Sequence, residues 1–220
     1  MRAAVPVPTT GAVTGSESWY NRSRMPSVEP NSPEHVPWKA EIERVALEMF
    51  AARGFDTTTV EEVAAAAGIS RRTFFRYFPS KNDILWGDFQ GLLRELETWL
   101  SSVDEDQSIL DVIAEASVRF NRVHTDGASA HRERMELILH TPALRANAAL
   151  RHDEWLAVVT RYAAGRLGQT TDDLDPQVVG HVALAAANAA YELWLRDPSA
   201  ELPALIRQAF TLAQSLPTGT

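Results

Sequence analysis

Apolar residues recur along this chain at intervals of three and four and scarcely ever alternate, so the pattern predicts helices throughout. Ile42, Val45, Ala46, Met49 and Phe50 form one stripe of a helix over about 38–53, which Gly54 ends. Thr59 with Glu62 three residues later is a capping box that opens a second helix, 60–66, with Val60, Val63 and Ala64 inward. Ser70 opens a third, 71–77, which stops before Pro79. A fourth is predicted to start at Ser80, with Asp83 completing a second capping box. It should run unbroken through Ile84, Leu85, Phe89, Leu92, Leu93 and Leu96 to Leu100. Five more are expected at about 108–123, 129–139, 143–167, 176–195 and 200–216, and Asp175-Pro176 is a strong start signal for the eighth. Residues 1–36 hold five of the twelve prolines and no period, and read as a disordered or loosely ordered tail. The expected fold is all-α with about nine helices: a three-helix head over 37–86 and a helical bundle over 87–220.

Composition narrows the classes. At 220 residues and 45% hydrophobic the chain can build a proper core, and without cysteine it has no disulfide, thiolate nucleophile or cysteine zinc site. The longest uncharged stretch, Pro176 to Tyr191, is rich in Ala, Gly, Asn and His, which argues against a bilayer span. No secretory signal pattern opens the chain, so a cytoplasmic protein without a membrane partner is expected. No phosphate loop, nucleophile elbow or H-E-x-x-H motif is present. The expectation is therefore no enzyme, no metal and no cofactor.

The net charge of −8 argues at first against a nucleic-acid partner. Its distribution reverses that reading. Residues 35–86 carry seven basic and seven acidic groups, whereas residues 87–220 carry 11 and 19, so the whole excess lies in the bundle. Between Gly68 and Asn82 stand Arg71, Arg72, Arg76 and Lys81 with no acid. The local field governs attraction of a phosphate backbone.

Helices two and three, joined across Ala67-Gly68-Ile69-Ser70, make a helix-turn-helix pattern. Arg71 and Arg72 occupy the first turn of helix three, where acids are ordinarily favoured, so a base edge or phosphate is the natural explanation. Thr58, Thr59, Thr73 and Tyr77 offer hydroxyls nearby, and Lys81 is another cation in a first turn. Arg76 fits either a DNA contact or an ordinary solvated position. Phe74 and Phe78, four apart, fit the core.

The run GISRRTFFRYFPSKNDIL from Gly68 to Leu85 resembles the TetR family of bacterial one-component regulators, and the arrangement after residue 37 matches that family's nine helices. The resemblance places Ser70, Thr73, Tyr77 and Lys81 at phosphate-contacting positions and Arg71 and Arg72 at sequence-reading ones. Phe75 replaces the usual tyrosine, which leaves only apolar contact with a thymine methyl or sugar. RRTFFRYFPSKNDILWGDF and RERMELILHTPALRANA resemble more closely the MftR-type regulators of mycofactocin biosynthesis clusters. That resemblance implies a repressor released from a palindromic operator by a small-molecule effector, a long-chain acyl-CoA, with the protein nucleoid-associated while bound. A TetR-like regulator of an unrelated small apolar ligand, or a helical protein-interaction module, are the alternatives.

The bundle carries two further expectations. The eighth helix, uncharged from Pro176 to Tyr191 (Val179, Ala183, Ala186, Ala187, Ala190), and the ninth (Leu205, Ala209, Phe210) fit a homodimer interface, which the resemblance assigns to them. The other possibility is that the eighth helix is the protomer's own central helix. Aromatic and polar residues between helices four and eight (Trp99, Phe120, His124, Met135, Leu139, Arg145, His152, Trp155 and Asn188) are candidates for an effector cavity.

Overall fold

Each short helix of the head starts and stops where its sequence provides the caps. A computed structural model describes residues 35–122 and 127–215. The tail expected over 1–36 lies outside these residues except for its last two, and His124 lies outside them too. α1 spans His35–Arg53, so it begins two residues inside the expected tail. Pro37 falls in its first turn, where a missing N–H breaks no helical bond. α2 (Val60–Ala66) carries the full Thr59–Glu62 capping box. It ends in a turn in which Ile69 N–H donates to Ala64 O (2.9 Å) and Gly68 N–H to Ala65 O (3.1 Å). Gly68 takes φ +69° there, the left-handed conformation such a stop requires. α3 (Arg71–Tyr77) follows at once, with Ser70 Oγ accepting from Thr73 N–H.

The head closes on aromatic residues. Phe50 and Phe55 meet edge to face at 5.0 Å between ring centroids, and Phe74 stands 5.5 Å from Phe78. All four are buried with Ile42, Ala46 and Val63. α3 is thus held by one face and left open on the other.

The fourth helix is not continuous. A 3₁₀ turn, Asn82–Trp86, is followed by a break, and α4 proper spans Phe89–Leu100. Gly87 adopts φ 56°, ψ −133°, which residues with a Cβ rarely accept. Asp88 then caps α4 through Gly91 N–H (3.1 Å). A Cβ on Gly91 would lie 2.2 Å from Asp88 Oδ2, so a glycine is what leaves room for the cap. At Ser80 the expected capping box becomes a hydroxyl donating to the Asp83 carboxylate (2.6 Å).

The bundle comprises α5 (Ile109–Arg122), α6 (Gly127–His140), α7 (Pro142–Leu167), α8 (Leu174–Arg196) and α9 (Leu202–Gln214). With these the described residues contain nine α-helices, all-α as expected. α8 packs along α7 and α9, and α9 lies across α5. By length and hydropathy α8 alone among the described helices is apolar enough to cross a membrane. Its inner face, with Gly180, Ala183, Ala186 and Ala190, is instead the packed centre of the bundle. A Cβ on Gly180 would meet Thr160 Oγ1 at 2.4 Å, which shows how closely α7 and α8 approach.

Gly87→Ala adds a side chain in a conformation that disfavours one, 3.4 Å from the Glu43 carboxylate. Chemical denaturation should show a loss of about 1–3 kcal/mol.

Candidate nucleic-acid interface and effector cavity

Four residues of α3 are turned outward. Arg71, Arg72, Phe75 and Arg76 are exposed, while Phe74 is completely buried. Phe75 is 41% exposed, a large apolar side chain in the middle of the basic face. Arg71 Nε bridges Glu61 Oε1 on α2 at 2.8 Å, and its guanidinium lies 5.2 Å from the Phe75 ring centre. Arg76 donates to Tyr77 Oη (3.3 Å) and stacks over that ring. Thr73 and Ser70 hydroxyls share a bond of 2.9 Å at the exposed start of the helix.

Three expected contacts are differently placed. Thr58 is 1% exposed and its hydroxyl donates to Gly54 O at 2.9 Å, so its side chain faces the interior. Thr59 is exposed, but its hydroxyl and amide both donate to Glu62 (2.8 Å each), which holds that carboxyl below the usual range. Lys81 Nζ donates to Phe55 O (2.8 Å) and Thr58 O (3.0 Å) and sits 4.0 Å above the Phe55 ring. Two of its three N–H groups therefore fasten the loop before α2. The signal that hid this is its separation in sequence from the carbonyls it binds.

Behind the head lies a cavity of about 80 Å³ between α4, α5, α6, α7 and α8. Phe120, Met135, His152, Trp155 and Asn188 line it, as expected from sequence. Leu139 packs against the core nearby without reaching it, Arg145 is exposed, and Trp99 stacks under Arg119 (4.6 Å) away from it. Sequence reading missed Trp86, Phe89 and Arg151 in its wall. Trp86 Nε1 donates to Asn147 Oδ1 at 2.6 Å, and Tyr191 Oη donates to Asn121 Oδ1. Burial pushes the Tyr191 phenol up, so it remains a hydroxyl donor.

Two ion pairs join this wall to the head. Arg134 on α6 reaches Glu43 on α1 at 3.6 Å, with side chains only 3% and 11% exposed. Arg151 on α7 reaches Asp83 in the 3₁₀ turn at 2.7 Å. No Asp or Glu lines the cavity among the described residues.

The sequence of the bundle over residues 107–217 matches the family model described as the MftR C-terminal domain, and residues 42–85 match that of bacterial regulatory proteins of the tetR family. The chain belongs to the TetR family. Membership makes it a DNA-binding regulator rather than an enzyme. It is 39% identical over 190 residues to a protein of Mycobacterium tuberculosis described as a candidate mycofactocin biosynthesis transcriptional regulator, MftR. The match spans 86% of this chain and 93% of that one. Among solved structures, a TetR-family regulator from Syntrophomonas wolfei superposes with a TM-score of 0.62 at 16% identity, over 84% of this chain and 97% of that one. FadR from Bacillus subtilis in complex with stearoyl-CoA gives 0.59 at 17%, over 79% and 96%. Both likenesses concern the TetR fold.

The dimer residues expected on α8 and α9 divide differently. Ala183, Ala186, Ala187, Ala190 and Phe210 are buried inside the protomer, and Ala187 also lines the cavity. Val179, Leu205 and Ala209 are half-buried. The outward stripe is Val178, Ala185, Ala189 and Leu193 on α8, with Leu212 on α9. A helix without charge from Pro176 to Tyr191 has two apolar faces, and composition does not tell them apart.

His152 is held below its ordinary value of 6.5, chiefly by burial, with Asp153 opposing. A histidine that resists protonation when folded adds stability above its unfolded pKa, and this is lost as pH falls below about 6.5. In His152→Gln the thermal midpoint should therefore decline less steeply than in wild type between about pH 6.5 and 5, as calorimetry would register.

Proposed function

We propose that the chain is a homodimeric, effector-released repressor of a palindromic operator, and that its effector site is the cavity behind the head. The observation that carries the DNA reading is the acid-free outer face of α3, where Arg71, Arg72, Phe75 and Arg76 project from a helix anchored by Phe74 and Phe78. Arg72 is exposed and reads base edges, with Arg71 beside it once it leaves Glu61. Ser70, Thr73, Tyr77 and the remaining N–H of Lys81 position the helix on phosphates. Thr59 contributes its place at the start of α2 rather than a free hydroxyl.

Dimerisation uses the outward stripe of α8 and α9, which presents Val178, Leu193 and Leu212 at 49–56% exposure. A two-fold arrangement sets the two α3 helices in successive major grooves about 34–36 Å apart. The domains follow as a head over 37–86 and a sensing and dimerising bundle over 87–220. The apolar cavity and the stearoyl-CoA complex of the structurally similar FadR support a long-chain acyl-CoA effector. The likeness to MftR supports a role at a mycofactocin locus. Such a protein works in the cytoplasm, on the nucleoid when bound.

A mobility shift on the gene's upstream region, at fixed salt, tests the reading by adding palmitoyl-CoA. Release of the duplex is expected, and no shift without effector would overturn it. Arg72→Ala should weaken the operator by about 1–3 kcal/mol and random duplex much less, whereas Lys81→Ala should weaken both alike. Ala189→Arg, which sets two like charges across a two-fold contact, should give monomers by sedimentation and lose operator binding at concentrations where wild type is saturated.

A further inference from the structure

Phe75 is the only aromatic among the large apolar side chains that the described residues expose, and it stands on the basic face of α3. Its ring is held from two sides. The buried Phe74 ring meets it edge to face, 5.4 Å between centroids at 83°, and the Arg71 guanidinium lies 5.2 Å from its centre. Arg71 and Phe75 are four residues apart on one helix face, so they stay neighbours after Arg71 leaves Glu61. Their separation is little more than one base-pair rise of about 3.4 Å, which suits two groups that address adjoining base pairs. With no hydroxyl, Phe75 has no polar atom to draw it to a phosphate, so its ring has only apolar contact to offer a base.

We propose that Phe75 and Arg71 read one 5′-TG-3′ step of each half-site as a unit, and that Phe75 is the determinant of the thymine. This rests on the reading of α3 as the helix that enters the major groove. Arg71 donates to O6 and N7 of the guanine, the base edge that a guanidinium fits best. Thymine shows one apolar group in that groove, its C5 methyl, and cytosine in the same place shows none. A guanidinium lying in the plane of a guanine extends past its edge and passes over the methyl of a thymine on the 5′ side. Phe75 covers what the guanidinium leaves open. Ring, methyl and the weakly hydrated face of the guanidinium are then withdrawn from water together, which favours the contact without any further hydrogen bond. A 5-methylcytosine presents the same methyl to the ring, so a methylated CG step is read as TG, whereas an unmodified one is not.

Duplexes enriched from a random library by the full-length protein test this, with affinities measured by fluorescence anisotropy at fixed salt. The enriched half-site should contain TG. Replacing its thymine by uracil, which removes only the methyl, should weaken wild type about fourfold. Phe75→Ala should bind the thymine and uracil duplexes equally, whereas Phe75→Tyr, which keeps the ring, should retain the difference. Placing 7-deazaguanine at the adjoining position should weaken wild type about tenfold and leave Arg71→Ala unaffected. With the thymine exchanged for a cytosine, C5 methylation of that cytosine should restore part of the lost affinity. Equal binding of the thymine and uracil duplexes by wild type overturns the proposal, and that measurement needs no variant to fold. An enriched half-site without TG overturns it as well, as does a uracil penalty that persists in Phe75→Ala. Failure to enrich any sequence would instead remove α3 as the reader of bases.

Discussion

The buried pair Glu43–Arg134 is the constraint on which the rest of the molecule depends. It ties the first helix of the head to the sixth helix of the bundle at a place where neither charge is well hydrated. Gly87 lies beside it, a Cβ added there falling 3.4 Å from the Glu43 carboxylate, and its carbonyl accepts from Lys39 (3.3 Å). A side chain at Gly87 would touch the pair without displacing it and would be strained by the backbone, whereas a missing partner in the pair would leave a buried charge. The interruption of the fourth helix is therefore bound up with the contact beneath it. It lets the chain turn from the head into the bundle while keeping α1 against the cavity wall. Asp83–Arg151 and Trp86–Asn147 repeat the connection on the next helix, α7.

The division of charge follows the same plan. The bundle holds the chain's excess of acids, whereas the exposed side of α3 holds none. A DNA duplex near this protein is attracted to one face and repelled by the remainder, which orients the encounter before any base is read. Inside the bundle the cavity lining holds two arginines, Arg134 and Arg151, each paired with carboxylates that lie outside that lining.

Much of the fold was legible in the sequence because its stops and starts are local. Thr59 with Glu62, Gly68 and Ser70 act within a few residues, and each performs in the structure as its type predicts. The unbroken fourth helix was misread for an instructive reason. The apolar period runs evenly across Trp86 and Phe89, while Gly87-Asp88 between them is a terminator followed by a cap. Periodicity reports which face is buried and is indifferent to a pause in the backbone. Lys81, Arg134 and Arg151 were opaque for a different reason. Lys81 and Arg134 find partners far away along the chain, and Arg151 joins the distant Asp83 to the nearby Glu154, so a cation that looks spare in sequence is already engaged in space. Both faces of α8 are apolar, the inward one with Gly180, Ala183, Ala186 and Trp194 and the outward one with Val178, Ala185, Ala189 and Leu193, and only packing separates them.

The bridge between Arg71 and Glu61 has a bearing on how such a protein searches a genome. In the free head Glu61 occupies Arg71 much as a phosphate would, as a resident decoy on the neighbouring helix. With Arg71 as the proposed DNA contact, every duplex, whatever its sequence, would have to outcompete that carboxylate before Arg71 engages. An exposed pair of this kind is worth up to about 1 kcal/mol, or roughly fivefold in residence on unselected DNA. The handicap is the same at all sites, but only a site whose bases reward the freed arginine recovers it. On that proposed contact, a single acid on α2 would shorten pauses at the wrong sequences and leave the right one distinguishable.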